Sequence, residues 1–414
     1  VSESAVPAPL VARVTDRCRK VLDANWREGK LADGRRFAYT CPSPRHYPWQ
    51  WYWDSCFTAL AWRHFDRSRG ERELRSLLSA ERSDGFIGHT IFWDQPLPRL
   101  RRYLYNLPAN SPAVGAPKQG APMMTASIQP PALAWAWEQV VGAPAQEPAI
   151  VRHYEWLAQH RDLDGDGLLW IVQPDESGLD ASPQFDAIWG AEAHGLPGFY
   201  RLVQRNRRLG FDLRRVLRSG HPVCAEVATN VLYSLSRTAL GLPSLTRTLI
   251  ERCYDERRGL FLPLARPAPK SALPVTWAAL SPLALPDLPE AIGHRLVREH
   301  LLDERRFWLP AGVPSVSASE PSFETGDGGP FWGYPRRYWR GPVWINAALL
   351  LWRGLVRLGY REQARVLAAR LAASIDRVGL REYYHPYSGA GEGQRDFAWS
   401  AVVLELLGDL DGSQ

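Results

Sequence analysis

Runs of apolar residues at helical spacing alternate with Gly- and Pro-rich loops along almost the whole chain, and this restricts the fold more than any other feature. The pattern predicts helices over 10–25, 55–65, 71–82, 125–141, 148–159, 189–209, 223–240, 244–256, 292–301, 345–356, 361–378 and 397–410. Convincing strands are few. Residues 84–93 read as a loop or short strand, 173–189 and 381–396 as loops, and 307–327 as extended chain. The run 263–290 is broken by proline. No shift of composition marks a second domain, so residues 1–414 read as one all-α domain. Outer helices holding inner ones, with one set of loops left to build a site, make a helical toroid.

The loops carry an excess of aromatic residues. The chain has 18 Trp, and Tyr47-Pro-Trp-Gln-Trp-Tyr-Trp-Asp-Ser-Cys-Phe57 is its densest aromatic stretch. Tyr338-Trp-Arg-Gly-Pro-Val-Trp-Ile-Asn346 places aromatic faces beside an arginine at the mouth of a helix. Such a surface suits a pyranose, which offers apolar C–H faces to stack and hydroxyls to hydrogen-bond. A packed aromatic core is the competing explanation.

Composition removes several classes of function. The net charge is +6, but the basic residues are scattered. That describes a solvated surface with mild attraction for a small anion, not a nucleic-acid interface. Cys18, Cys41, Cys56, Cys224 and Cys253 have no CxxC spacing, so neither a zinc site nor a disulfide framework is expected. No apolar run reaches membrane-spanning length, and 1–10 lacks the signature of a secretory signal. A cytoplasmic protein without membrane or nucleic-acid partners is expected. Self-association into a homo-oligomer is left open. Asp162-Leu-Asp-Gly-Asp-Gly167 resembles the start of a calcium loop, but position twelve is Gln173 where a glutamate belongs. A plain Asp/Gly turn is the simpler reading. No phosphate loop, HExxH pair or GxSxG elbow occurs, and no cofactor or metal is expected.

Hydrolysis of a glycoside normally takes two carboxyl groups, one protonated and one ionised. Loop carboxylates beside aromatics are the candidates: Asp54, Asp180, Asp186, Glu382 and Glu392, with Asp84 and Asp94 behind them. Residue type and position leave the choice among these open, because each could instead cap a helix or pair with one of the many arginines.

Six pieces together resemble glycoside hydrolase family 63 and its relatives in the trehalase and glucosidase I group. They are Tyr52-Trp-Asp-Ser-Cys-Phe57, Gly85-Phe-Ile-Gly-His89, Ser177-Gly-Leu-Asp-Ala-Ser-Pro183, Tyr338-Trp-Arg-Gly-Pro-Val-Trp344, Glu382-Tyr-Tyr-His-Pro386 and Phe397-Ala-Trp-Ser400. The compact length looks like the bacterial mannosylglycerate hydrolases of that family, which also take glucosylglycerate. The resemblance implies an (α/α)6 barrel and an inverting mechanism, with Asp180 as general acid and Glu382 as general base. It places Tyr47, Trp53, Asp54, His89, Gln129, Tyr338, Trp339 and Trp344 around the sugar, Asp54 holding hydroxyls. The implied substrate is a small glycoside with a carboxylate aglycone. Arg340, Arg336 and Arg337 are the cations near enough in sequence to receive that carboxylate. Two positions depart from the family. Ala181 follows the acid where Asn is usual, and Phe397 stands where some relatives have Gln. Residues 99–120 are a candidate lid. The rival readings are an α-glucosidase acting on glucosylated oligosaccharides, a non-catalytic carbohydrate-binding toroid, and a lyase or epimerase of uronic acids.

Overall fold

The computed structural model describes residues 6–93, 122–193, 196–269, 271–325 and 338–408. Asp94, Arg336, Arg337 and the 99–120 segment lie outside them.

Helices that are apolar on every side must be buried on every side. All eleven residues of Tyr52–Trp62 are buried, as are all eight of Trp277–Ala284 and all six of Ala398–Val403, the last two being 3₁₀ segments. These and three further helices close a ring. Tyr52–Trp62 packs against Leu133–Val141, which packs against Val227–Ala239. Trp277–Ala284, Ile345–Arg357 and Ala398–Val403 follow in turn, and the last returns to Tyr52–Trp62. Amphipathic helices pack outside this ring. Arg67–Ser79 lies on Tyr52–Trp62 and Leu133–Val141, and Arg361–Val378 lies on Ile345–Arg357. Ala8–Asn25 spans Ala398–Val403 and Arg361–Val378. Local chemistry starts and stops them. Asp66 accepts from Ser68 and Arg69 N–H as an N-cap, and Gly142 ends Leu133–Val141 in the left-handed conformation.

Helices make up about half of the described residues, and the all-α expectation needs amendment. Five small sheets of two or three strands occur among the described residues. Residues 223–240 are not one helix. Val223–Ala225 is a strand paired with Leu264–Arg266, and the helix starts at Val227, capped by the Glu226 carboxylate on Thr229 N–H. Residues 381–396 are a hairpin of Arg381–Tyr384 with Gly391–Arg395, not a loop. The helix expected over 125–141 begins only at Leu133. Pro130 and Pro131 lack N–H groups and bias the residues before them towards extended chain, and Met123–Met124 is a strand. The helix expected over 397–410 is a 3₁₀ segment, Ala398–Val403, with a short α-helical end at Leu404–Leu407. The helix expected over 189–209 is Leu196–Arg208, Trp189 closing the short helix Asp186–Trp189 instead. A Leu213–Arg218 helix was not anticipated.

Candidate active site

Three chain segments meet at the start of Tyr52–Trp62. Gln50–Trp51, Thr90–Phe92 and Met123–Met124 form one antiparallel sheet. It brings His89 and Gln129 to the first turn of that helix, whose backbone N–H groups have no partners within the helix. His89 O accepts from Tyr52 N–H at 3.0 Å, and Gln129 Oε1 accepts from Trp53 N–H at 2.9 Å. Because Trp53 N–H can only donate, the orientation of the Gln129 amide is fixed, and its Nε2 donates to His89 Nε2 at 2.7 Å. The His89 proton therefore sits on Nδ1, facing Asp175 Oδ2 at 3.8 Å. Burial pushes the His89 pKa down to about 3, so the ring is neutral.

Asp54 lies in the same first turn and is buried. Burial, and then the field of Glu382, lift its pKa well above the usual carboxylate range. Asp180 also acts on Asp54.

Asp180 follows a 3₁₀ turn, Pro174–Ser177, that is anchored from beneath. Glu176 and Arg161 form a bidentate ion pair, 2.6 and 2.7 Å, with both side chains sealed from solvent. Ile128 and Val172 N–H groups complete the Glu176 carboxylate. Gly178 then takes φ +70°, and a Cβ there would meet Trp53 at 2.4 Å, so the turn can lie on the indole only as glycine. Ala181 takes φ +59°, a conformation that Asn adopts far more readily than Ala. The departure at 181 thus falls on a strained residue beside Asp180.

Glu382 comes from the Arg381–Tyr384 strand and is 2% exposed. Tyr338 OH donates to its Oε1 and Gln394 N–H to its Oε2, each at 2.9 Å. Gly393 leaves room for the carboxylate, since a Cβ there would stand 2.6 Å from Oε2. Burial raises the Glu382 pKa to about 7, Asp180 adding to the rise while Gln394 N–H and Tyr338 OH oppose it.

The Tyr338–Asn346 stretch connects the two sides. Val343 and Tyr384 exchange backbone hydrogen bonds of 2.8 and 2.9 Å, which ties the stretch to the Glu382 strand. Arg340 Nη1 donates to Ala181 O at 3.0 Å, which ties it to the Asp180 turn. The Arg340 guanidinium also spans both oxygens of Asp186, at 3.2 and 2.8 Å, and lies 3.3 Å from Glu324. A substrate carboxylate would have to compete with these two. Asp186, one of the sequence candidates, is thereby an ion-pair partner that braces the turn. Asp84 pairs with Arg82, and Glu392 lies opposite Tyr383 in the hairpin.

The aromatic residues divide by exposure. Trp339 and Trp344 stack at 3.9 Å and 7°, Tyr383 packs on Trp344 at 4.7 Å, and Trp53 packs on Trp399 and Trp339. These indoles are buried and form a rigid wall. Tyr47, Trp51 and Tyr338 are only partly covered. Phe397, the second departure, is buried against Tyr47 and Trp399, so packing replaces a polar group there.

Sequence reasoning missed Asp175. It is buried, accepts from Gln173 Nε2 at 2.9 Å, and its pKa is lifted well above the carboxylate range by burial and then by Asp180. It has no aromatic neighbour in sequence, so a search for carboxylates beside aromatics passes over it. Trp51 and Trp399 were also missed, although both lie within the aromatic stretches that were recognised.

Among the described residues no group of His, Cys, Asp and Glu could hold a metal ion. In the calcium-like turn, Asp162 accepts from Gly165 and Gly167 N–H, while Asp164 and Asp166 pair with Arg252 and Arg266. No described helix is long and apolar enough to cross a membrane.

Known proteins share this architecture. A mannosylglycerate hydrolase of Thermus thermophilus is 28% identical over 90% of this chain and 97% of its own. A glucosylglycerate hydrolase of Mycolicibacterium hassiacum is 25% identical over 89% of this chain and 94% of its own. The crystal structure of a family 63 mannosylglycerate hydrolase from Thermus thermophilus, in complex with Tris and D-glycerate, superposes with a TM-score of 0.75 at 25% identity, covering 95% of this chain and 99% of that one. The family described as the mannosylglycerate hydrolase MGH1-like glycoside hydrolase domain matches residues 47–400. The chain belongs to that family, and it is a glycoside hydrolase of the family 63 type.

Proposed function

We propose that the ring is the inner layer of an (α/α)6 barrel and that the chain hydrolyses the α-glycosidic bond of mannosylglycerate, and of glucosylglycerate, releasing sugar and glycerate with inversion. Asp180 gives its proton to the leaving glycerate oxygen. Glu382 takes a proton from the water that attacks the anomeric carbon from the opposite face. Such a pair stands roughly 6.5–9.5 Å apart, which leaves room for that water. Asp54, His89 and Gln129 hold sugar hydroxyls, and Tyr47, Trp53, Tyr338, Trp339 and Trp344 shape the pocket. Arg340 holds the Asp180 turn and is the candidate cation for the glycerate carboxylate. A reducing, cytoplasmic setting fits five cysteines that are all free and buried.

One observation carries the reading: carboxylates some 200 residues apart in sequence lie within each other's field, so that Asp180 raises the Glu382 pKa. Repulsion between two such carboxylates favours one protonated and one ionised, the division that acid–base hydrolysis needs. The substrate follows from the relatives, two of which are a mannosylglycerate and a glucosylglycerate hydrolase.

The test is incubation with mannosylglycerate, glucosylglycerate and a glucosylated oligosaccharide lacking a carboxylate. Glycerate release from either of the first two is expected. Cleavage of the third alone would overturn the substrate assignment, and saturable binding without cleavage of any would mean a carbohydrate-binding toroid.

A further inference from the structure

Apart from the carboxylates lies a cavity of about 120 Å³, between the end of the Pro148–Arg161 helix and the turn after Arg67–Ser79. It is one ion pair away from the Asp180 turn, because Arg161, in its wall, is the partner of Glu176. Two buried donors in its lining have no hydrogen-bond partner, Arg82 Nη1 and Trp156 Nε1. The side-chain acceptors of the lining, on Asp84, Gln159, His160 and Asp212, all belong to exposed residues. The buried, unmet demand is therefore that of the two donors, and it asks for an acceptor.

The surrounding charges sharpen this. Arg82 gives Nε and Nη2 to Asp84 and lies over the Phe86 ring at 4.6 Å, so its guanidinium is held in place with Nη1 left over. Arg161 is fully engaged by Glu176. Arg214, at the rim, donates to the Asp162 and Leu163 carbonyls, at 3.2 and 3.4 Å, and has no carboxylate partner among the described residues. Asp212 opposes an anion from the rim, although its Oδ1 is committed to Arg215 N–H at 2.7 Å. His160 stacks on Trp156 at 4.4 Å and 15°, fixing the indole plane and its N–H direction. A water needs about 10–15 Å³ of such space, so there is room for several waters or for an oxoanion of a few heavy atoms.

We propose that this cavity binds a small oxoanion, inorganic phosphate or a short carboxylate, with Arg82 and Trp156 as its donors. The occupied site braces the turn that leads through Phe86 to His89.

The experiment is a titration of ¹⁵N-tryptophan-labelled protein with inorganic phosphate, and separately with acetate, at constant ionic strength. The Trp156 indole resonance is assigned by its loss in Trp156→Phe. A saturable displacement of that resonance at millimolar anion is expected, weakened at least about tenfold in Arg82→Lys, which keeps the charge beside Asp84 but lacks Nη1. Saturation by phosphate alone, by acetate alone or by both supports the site and identifies the oxoanion. The wild-type titration decides the matter even where Arg82→Lys fails to fold. Absence of a saturable shift with either anion, or undiminished affinity in Arg82→Lys, overturns the proposal and leaves ordered water as the occupant.

Discussion

Glu73 and Glu382 are both buried glutamates, and burial raises the pKa of each to about 7. Their surroundings differ. Glu73 sits where Arg67–Ser79 packs on Tyr52–Trp62 and accepts from the Thr40 and Thr58 hydroxyls, at 2.7 and 2.6 Å. Its carboxylate joins elements of the wall. Glu382 stands at the meeting of the hairpin and the Tyr338–Asn346 stretch, where the Asp180 field reaches it. A perturbed pKa alone does not distinguish a catalyst from a structural carboxylate. Glu73 also acts on Asp54, so what sets Glu382 apart is its convergence with Asp180, on a turn that Arg340 holds in place.

That comparison can be broken first at the level of turnover. Glu382→Gln is expected to lower kcat by about 10²–10⁴-fold, the usual worth of a general base, and Asp180→Asn to do the same. Glu73→Gln should stay within about threefold of wild type, because Glu73 takes no part in the proposed proton transfers. Steady-state assays on mannosylglycerate measure all three, and a Glu73→Gln loss as large as that of Glu382→Gln would erase the distinction.

The pH dependence should sharpen it. Glu382 must be ionised to accept a proton, so kcat/KM falls as pH drops through its pKa of about 7. Glu73→Gln should leave that limb in place. In stability the two should instead behave alike. Each has a folded pKa raised from 4.5 to about 7, so the folded state holds the extra proton. Stability is full below pH 4.5 and is lost as pH rises towards 7, by about 3 kcal/mol for each group. Urea unfolding across this range should show a flatter pH dependence in either Gln variant than in wild type.

The smallest effect concerns the acid side. Ala181→Asn should stabilise the chain by about 0.5–1 kcal/mol, because Asn tolerates the left-handed conformation better. Thermal unfolding measures this, with Arg340 still bonded to the 181 carbonyl. Destabilisation would mean that the strain at φ +59° is relieved by other contacts.

These residues also show what the sequence made legible. Helical periodicity located five of the six ring elements and the long helices outside them, but not Trp277–Ala284, a 3₁₀ segment with Pro282 inside it in the stretch that reads as broken by proline. The family pieces picked out Asp180 and Glu382. Periodicity failed where another force set the backbone. Pro130 and Pro131 keep Gln129 extended, and this is what carries its amide to Trp53 N–H. The hairpin that bears Glu382 has too little alternation in Gly391–Arg395 to announce a strand. Asn-to-Ala at 181 was visible as a departure, but only φ explains why the position favours Asn. Arg340 looked like a carboxylate receptor, and in the structure two carboxylates of the chain already occupy it. Tertiary partners of this kind cannot be read from one strand of sequence.

The central claim is that Asp180 and Glu382 flank one glycosidic bond with a water between. Proton NMR of the enzyme with mannosylglycerate, followed from the first minutes, tests it most directly. The account predicts β-mannose as the first anomer to appear, the α-anomer growing only as mutarotation proceeds. Early α-mannose would mean retention, and the assignment of Glu382 as a base acting through water would be wrong.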